Sequence, residues 1–156
     1  MIGTDRHARS ADGVNTYLSD DHDRIDALLA DAVRLVSAGD FDAARPIFAS
    51  FRAGLERHIR LEDEVLFPLF DRVTGHRGGP TEVMRREHRL IEAALRGMVS
   101  ALDARDVAGF TGQREELLAV LAPHNDKEEA VIYPMTDQAL DDTERARVVA
   151  SLRAFR

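Results

Sequence analysis

Six residues, His22, His58, Glu62, His88, His124 and Glu128, stand on apolar stripes of helical period where leucine is the expected occupant. Glu62 and Glu128 each follow a histidine by four residues, so each His-x-x-x-Glu pair shares a helix face with Cβ atoms about 5–6 Å apart. An unpaired carboxylate buried in a helix bundle costs several kcal/mol, and two facing each other cost more. No lysine or arginine occupies these stripes near the six, so the compensating charge has to come from elsewhere. A pair of divalent cations would supply it. One core histidine is more often a hydrogen-bonded structural residue, and one His-x-x-x-Glu pair is weak evidence. Six polar residues in symmetric register on core stripes are a much stronger signal.

The symmetry is an internal repeat. A shift of 66 positions lays His22 on His88, Ile25 on Ile91, Leu29 on Leu95, Leu55 on Leu121, His58 on His124 and Glu62 on Glu128. Val65-Leu66-Phe67-Pro68 falls on Val131-Ile132-Tyr133-Pro134. Each half carries a histidine, 35 intervening residues and then His-x-x-x-Glu. His22 lies 17 residues before Gly39 and His58 lies 19 after it, and His88 and His124 flank Arg105 at the same separations. At about 1.5 Å per residue, the two histidines of each hairpin stand at nearly one height, and all four meet in one layer.

Ligand type narrows the metal. Imidazole with carboxylate suits Fe, Mn or Zn and excludes a soft copper site. The two-fold symmetry suggests His22 and His58 on one metal, His88 and His124 on the other, and Glu62 and Glu128 bridging both. Positions would remain open for a bridging oxygen and an exogenous ligand. The Glu-x-x-His motif of ferritin-like di-iron bundles is absent, since Ser19, Leu55, Arg85 and Leu121 precede the four histidines by three. His-Glu-x-x-His, the zinc-protease helix, is absent too. A haem bundle would not want two core carboxylates.

The elements that must position these residues are all helical, because no period-2 alternation appears. Stripes run Val14, Leu18, His22, Ile25, Leu29, Ala32, Val36; then Phe48, Phe51, Leu55, His58, Glu62, Val65, Leu69; then Met84, His88, Ile91, Leu95, Met98, Leu102; and Leu117, Leu121, His124, Glu128, Val131, Met135. Ala38-Gly39-Asp40 closes the first, and the loop from Thr74 to Gly79 separates the second from a helix opening at Pro80. Pro46 can sit near the start of the second helix, whereas Pro68, Pro123 and Pro134 should kink or end helices. Asp141, Asp142 or Thr143 could cap a short fifth helix with Val148, Val149, Leu152 and Phe155 on its apolar face. The expected fold is therefore all-α. It is an antiparallel up-down-up-down four-helix bundle of two pseudo-symmetric hairpins, with a short C-terminal fifth helix. A flexible tail over 1–12 would precede a single domain over 13–156.

Composition agrees and removes rivals. With 44% hydrophobic and 31% charged residues over 156 positions, the chain can bury a core as one soluble domain. The absence of cysteine excludes disulfide scaffolds, Fe–S clusters and thiolate zinc sites. A net charge of −7 argues against a nucleic-acid partner. No apolar run approaches a membrane span, and the polar start shows no signal-peptide pattern, so a cytoplasmic location is expected.

The order His22, His58-Ile-Arg-Leu-Glu62, Glu87-His88 and His124-Asn-Asp-Lys-Glu128 resembles the hemerythrin-like (HHE cation-binding) family, over roughly His22 to Tyr133. The resemblance implies a four-helix bundle holding a non-haem di-iron centre, two Fe ions with bridging carboxylates and an oxo or hydroxo bridge. It implies a small ligand, dioxygen, nitric oxide or peroxide, bound by a carrier, sensor or scavenger. A peroxide-disproportionating, catalase-like enzyme and an iron-responsive interaction module are the alternatives, with the chain a monomer or homodimer. Oxygen-carrying members place a further histidine four residues from the third-helix ligand and an aspartate in the fourth helix. Here Met84, Glu92 and Glu128 stand instead, and the pattern resembles the bacterial stand-alone and sensor-type members. Iron–sulfur repair members carry an N-terminal cysteine segment that is missing here.

Other residues are open to more than one reading. Asp26 and Glu92, one turn beyond His22 and His88, are acceptors for ring N–H groups, extra ligands or a solvated helix edge. Glu87 could orient His88. Tyr133 could donate a hydrogen bond to a bound oxygen species, but opposite Phe67 in the repeat it reads more simply as a core aromatic. His7 and His76 are not expected to be ligands.

Overall fold

The structure, a computed structural model, describes residues 13–156; the expected tail over 1–12, with His7, lies outside the described residues. Helix α1 (Val14–Ser37) and helix α2 (Phe41–Leu61) form the first hairpin. A π-helical turn over Glu62–Leu66 carries α2 directly into α3 (Phe67–Thr74). Helix α4 (Pro80–Asp103) and helix α5 (Val107–Lys127) form the second hairpin, and a second π turn over Glu128–Ile132 leads into α6 (Tyr133–Ala139). The short α7 (Asp142–Ala154) packs back on α1. Among the described residues there is no strand, and the chain is an antiparallel four-helix bundle with a short C-terminal helix.

The hairpin turns repeat as the sequence does. Gly39 adopts a left-handed φ of 75°, and the amides of Gly39 and Asp40 close on the carbonyls of Val36 and Leu35. Arg105 takes the same role with φ 53°, its amide and that of Asp106 closing on Leu102 and Ala101. Asp40 and Asp106 then cap the next helices by accepting from the amides of Ala43 and Gly109. Of the three possible caps for the last helix, Asp141 does it, in a reciprocal capping box with Glu144. The start of α1 is capped from far away: the Asp137 carboxylate accepts from the amides of Val14 and Asn15 at 2.8 and 2.9 Å.

The first and third stripes are buried at every expected position. The second and fourth depart from expectation in the turn directly after the glutamates, although Leu69 is buried as expected. Val65 is only partly buried and Val131 is 43% exposed, while Leu66 and Ile132 are buried in their place. The π turn is the cause. It inserts one extra residue per turn, which moves the inward face on by one position in both halves. Pro68 and Pro134 stand second in the helices that follow and lack the N–H that α-helical bonding would require there, so the wider turn relieves the ring clash. The helix is therefore widened at these prolines rather than ended. Pro46 and Pro123 lie inside α2 and α5, which run on past them.

Two apolar clusters result. One, with Ile25, Phe48, Phe51, Leu95, Phe110 and Leu121, fills the end of the bundle nearest the hairpin turns. The other, with Leu18, Leu66, Phe67, Phe70, Tyr133 and Leu152, fills the end covered by α7. The six polar core residues lie between them.

Candidate metal centre

Helix α1 supplies His22, α2 His58, α4 His88 and α5 His124, while Glu62 and Glu128 open the two π turns. All six are buried, at 0–4% exposure. Their rings pair within hairpins: His22 and His58 have centroids 4.6 Å apart, and His88 and His124 4.9 Å. Inner ring nitrogens face carboxylates. Nε2 of His22 and of His124 each lie 3.3 Å from Glu128 Oε1, and Nε2 of His88 and of His58 lie 3.2 and 3.5 Å from Glu62 Oε1. Ligand atoms of Glu62, His88, His124 and Glu128 all fall within 4.8 Å of one another, as do those of His22, His58 and Glu128.

The outer nitrogens are held by four further carboxylates, and these also obey the 66-residue repeat. His58 Nδ1 meets Asp21 at 2.8 Å and His124 Nδ1 meets Glu87 at 3.3 Å. His88 Nδ1 meets Asp63 at 2.9 Å and His22 Nδ1 meets Glu129 at 3.4 Å. An ionised carboxylate only accepts, so each Nδ1–H donates and each Nε2 is turned inward. Asp21 and Glu87 precede the histidines of one helix and serve the other helix of their hairpin. Asp63 and Glu129 follow the core glutamates and reach across to the opposite hairpin. Asp26 and Glu92, one turn along the same helices, do not take this role, in keeping with the solvated-edge reading. Asp26 is exposed, and Glu92 lines a surface groove with Arg52, Glu56, Arg60 and Arg96. Glu87 orients His124 rather than His88. The repeat itself was the signal available, since Asp21 and Glu87, like Asp63 and Glu129, are matched acids 66 apart.

Tyr133 is more than a core aromatic. It is wholly buried, and its hydroxyl donates to Glu62 Oε2 at 2.7 Å while lying 3.2 Å from Nε2 of both His22 and His58. Burial and the neighbouring glutamates push its phenol well above the ordinary tyrosine range. An unbroken α-period faces Val131 inward; with the π turn Val131 is exposed, and Ile132 and Tyr133 are buried. Its counterpart Phe67 stacks on His88 at 5.5 Å, with the Arg85 guanidinium over its other neighbourhood at 5.5 Å. His76 is exposed in its loop and stacks near Phe70, away from the cluster.

The electrostatics describe a site short of positive charge. Burial opposes a charge on the His58 ring, but Glu62 and the hydrogen bond to Asp21 outweigh it and raise its pKa to about 10. Burial likewise opposes charge on His88, yet Asp63 and Glu62 raise it to about 9. Burial and the charge of Glu62 push Glu128 up, whereas His58 holds Glu62 well below the usual range against its own burial. Even so, Glu62 Oε1, His88 Nε2 and both Glu128 oxygens are buried without a hydrogen-bond partner. His88 Nε2 and Glu62 Oε1 are close enough to bond but not aligned to do so. Unsatisfied carboxylate and imidazole atoms converging in one layer fit a metal-binding donor set.

The sequence profile of the hemerythrin HHE cation-binding domain matches residues 14–136. The chain belongs to that family. It is 29% identical over 125 residues to an uncharacterised hemerythrin-like protein of the fission yeast Schizosaccharomyces pombe, a match covering 80% of this chain and 61% of the relative. No solved structure matches. The HHE match ends before α7, so the C-terminal helix is an addition to the matched region. Among the described residues, no helix is long and apolar enough to cross a membrane.

Proposed function

We propose that this HHE protein, with 13–156 as its metal-binding domain, is a non-haem di-iron protein that binds dioxygen, nitric oxide or peroxide as a carrier, sensor or scavenger. The observation that carries the reading is the set of partnerless carboxylate and imidazole atoms at the centre of the bundle. His22 and His58 would hold one iron and His88 and His124 the other, with Glu62 and Glu128 shared. Imidazole and carboxylate donors without thiolate suit iron. Iron held there supplies open coordination positions and electrons to a small ligand.

The remaining work falls to the chain. Asp21, Asp63, Glu87 and Glu129 fix each ring with Nε2 inward. Tyr133 keeps a hydroxyl proton inside the site. Apolar clusters above and below the layer exclude water, and burial of all six residues restricts entry to molecules of a few atoms. The test is to load the chain anaerobically with ferrous iron, admit oxygen or nitric oxide, and record the visible spectrum. A ligand-dependent change that is lost in Glu62→Ala is expected. Retained iron that responds neither to the two gases nor to added hydrogen peroxide contradicts the small-ligand reading.

A further inference from the structure

The two halves of the centre are related by the repeat, yet they are not chemically equal. A phenol has one donor and two acceptor positions. Tyr133 donates to Oε2 of the shared Glu62, and its oxygen lies 3.2 Å from Nε2 of His22 and of His58, the two histidines of one half. At the equivalent position the other half has Phe67, which stacks on His88 and offers no hydroxyl. Among the histidine Nε2 atoms, the buried one without a hydrogen-bond partner is that of His88; the partnerless Glu62 Oε1 and Glu128 oxygens belong to the glutamates both halves share. The larger group of converging ligand atoms, Glu62, His88, His124 and Glu128, contains that histidine, while the smaller, His22, His58 and Glu128, has one shared glutamate.

We propose that the halves load unequally: the Glu62–His88–His124–Glu128 half takes the first, tight metal ion. The His22–His58 half takes the second only by displacing the Tyr133 hydroxyl that holds its donors in the metal-free chain. A buried polar group without a partner costs far more than a satisfied one, so metal gains most where the metal-free chain is worst satisfied. Tyr133 acts here as a placeholder, and Phe67 marks the half left open.

Calorimetric titration of the metal-free full chain with cobalt(II) tests this. Two binding events of different affinity are expected, the tighter lost in His88→Ala and kept in His22→Ala. In Tyr133→Phe the weaker event should tighten by about tenfold, because the exchange leaves His22 and His58 partnerless before metal arrives. Phenylalanine already fills the equivalent position 67, so the packing accommodates it. Two equal events, a tight event lost in His22→Ala, or a weaker event unchanged or weakened by Tyr133→Phe would overturn the inference. The inference rests on the reading of two metal positions, and the same titration separates the two. A single equivalent refutes that reading, while its loss in His88→Ala but not His22→Ala sustains the unequal halves, and the reverse pattern overturns them.

Discussion

Glu62 and Glu128 are wholly buried, and among the described residues no lysine or arginine pairs with either. Each faces histidines and the other glutamate, and Glu62 also accepts from Tyr133, so in the proposed centre removing a glutamate would remove donors shared by both metal positions. Glu62→Ala or Glu128→Ala should therefore reduce bound metal far more than Asp26→Ala or His76→Ala; equal losses from all four, by elemental analysis, would contradict the ranking. The metal-free chain should also respond to pH with a definite sign. The folded pKa values of His58 and His88, about 10 and about 9, lie above the ordinary imidazole value. Their charged rings stabilise the fold fully below that ordinary value, and the contribution is lost as pH rises through the folded values. With chelator present, the urea midpoint should fall between neutral pH and pH 10, and a rise would contradict it. The six buried histidines and glutamates of the layer were legible from periodicity alone. Tyr133 was legible only as a candidate donor and Glu87 only as a partner of the wrong histidine, and Asp21, Asp63 and Glu129 were not legible, because their roles depend on a π turn and on contacts between helices that no single-helix spacing reveals.

At the scale of elements, the hairpin turn and the π turn set where the chemistry falls. Equal separations from Gly39 and Arg105 bring the histidines to one height, and this was countable in the sequence. The extra residue in each π turn was not, since Pro68 and Pro134 signal a disturbance without saying whether the helix ends, kinks or widens. Val65 and Val131 were thus expected inside, and Leu66 and Ile132 are found there. The Gly39 turn can be tested directly. Nothing lies within 4 Å of a Cβ added at Gly39, so Gly39→Ala meets no clash and carries only the left-handed backbone cost, about 1 kcal/mol. A loss of that size in denaturant unfolding is expected, with metal binding unchanged; no loss would contradict the turn's assignment. The equivalent Arg105 shows that the fold bears such a cost once, offset in part by the Arg105 pair with Asp42 at 2.7 Å.

Across the whole molecule, a polar layer lies between two apolar clusters, and α7 closes one end. Asp137 ties this end together by capping α1 while also facing Arg145 of α7. Arg57 does the same from α2, donating to the carbonyls of Leu152 and Phe155. A bundle built this way holds its donors in place whether or not metal is present, at the cost of burying groups that only metal satisfies. Metal bound to the native state must then stabilise it by linkage, by about 2.7 kcal/mol when free metal stands at a hundred times Kd. Thermal unfolding should move upward on loading with iron and return with a chelator, and an unchanged midpoint would contradict a metal centre at this layer. The fold and its symmetry were readable because helical period, turn signals and the repeat all agreed. The inequality of the halves was hidden in a Phe/Tyr exchange that looks like core packing in sequence.

The most direct measurement is the iron content of the full chain after anaerobic reconstitution with ferrous iron and desalting, with Glu62→Ala measured beside it. Two irons per chain, lost in the variant, are what the paired donor set predicts. No retained iron, or the same iron in the variant, would mean that the six residues form a polar core without a metal centre.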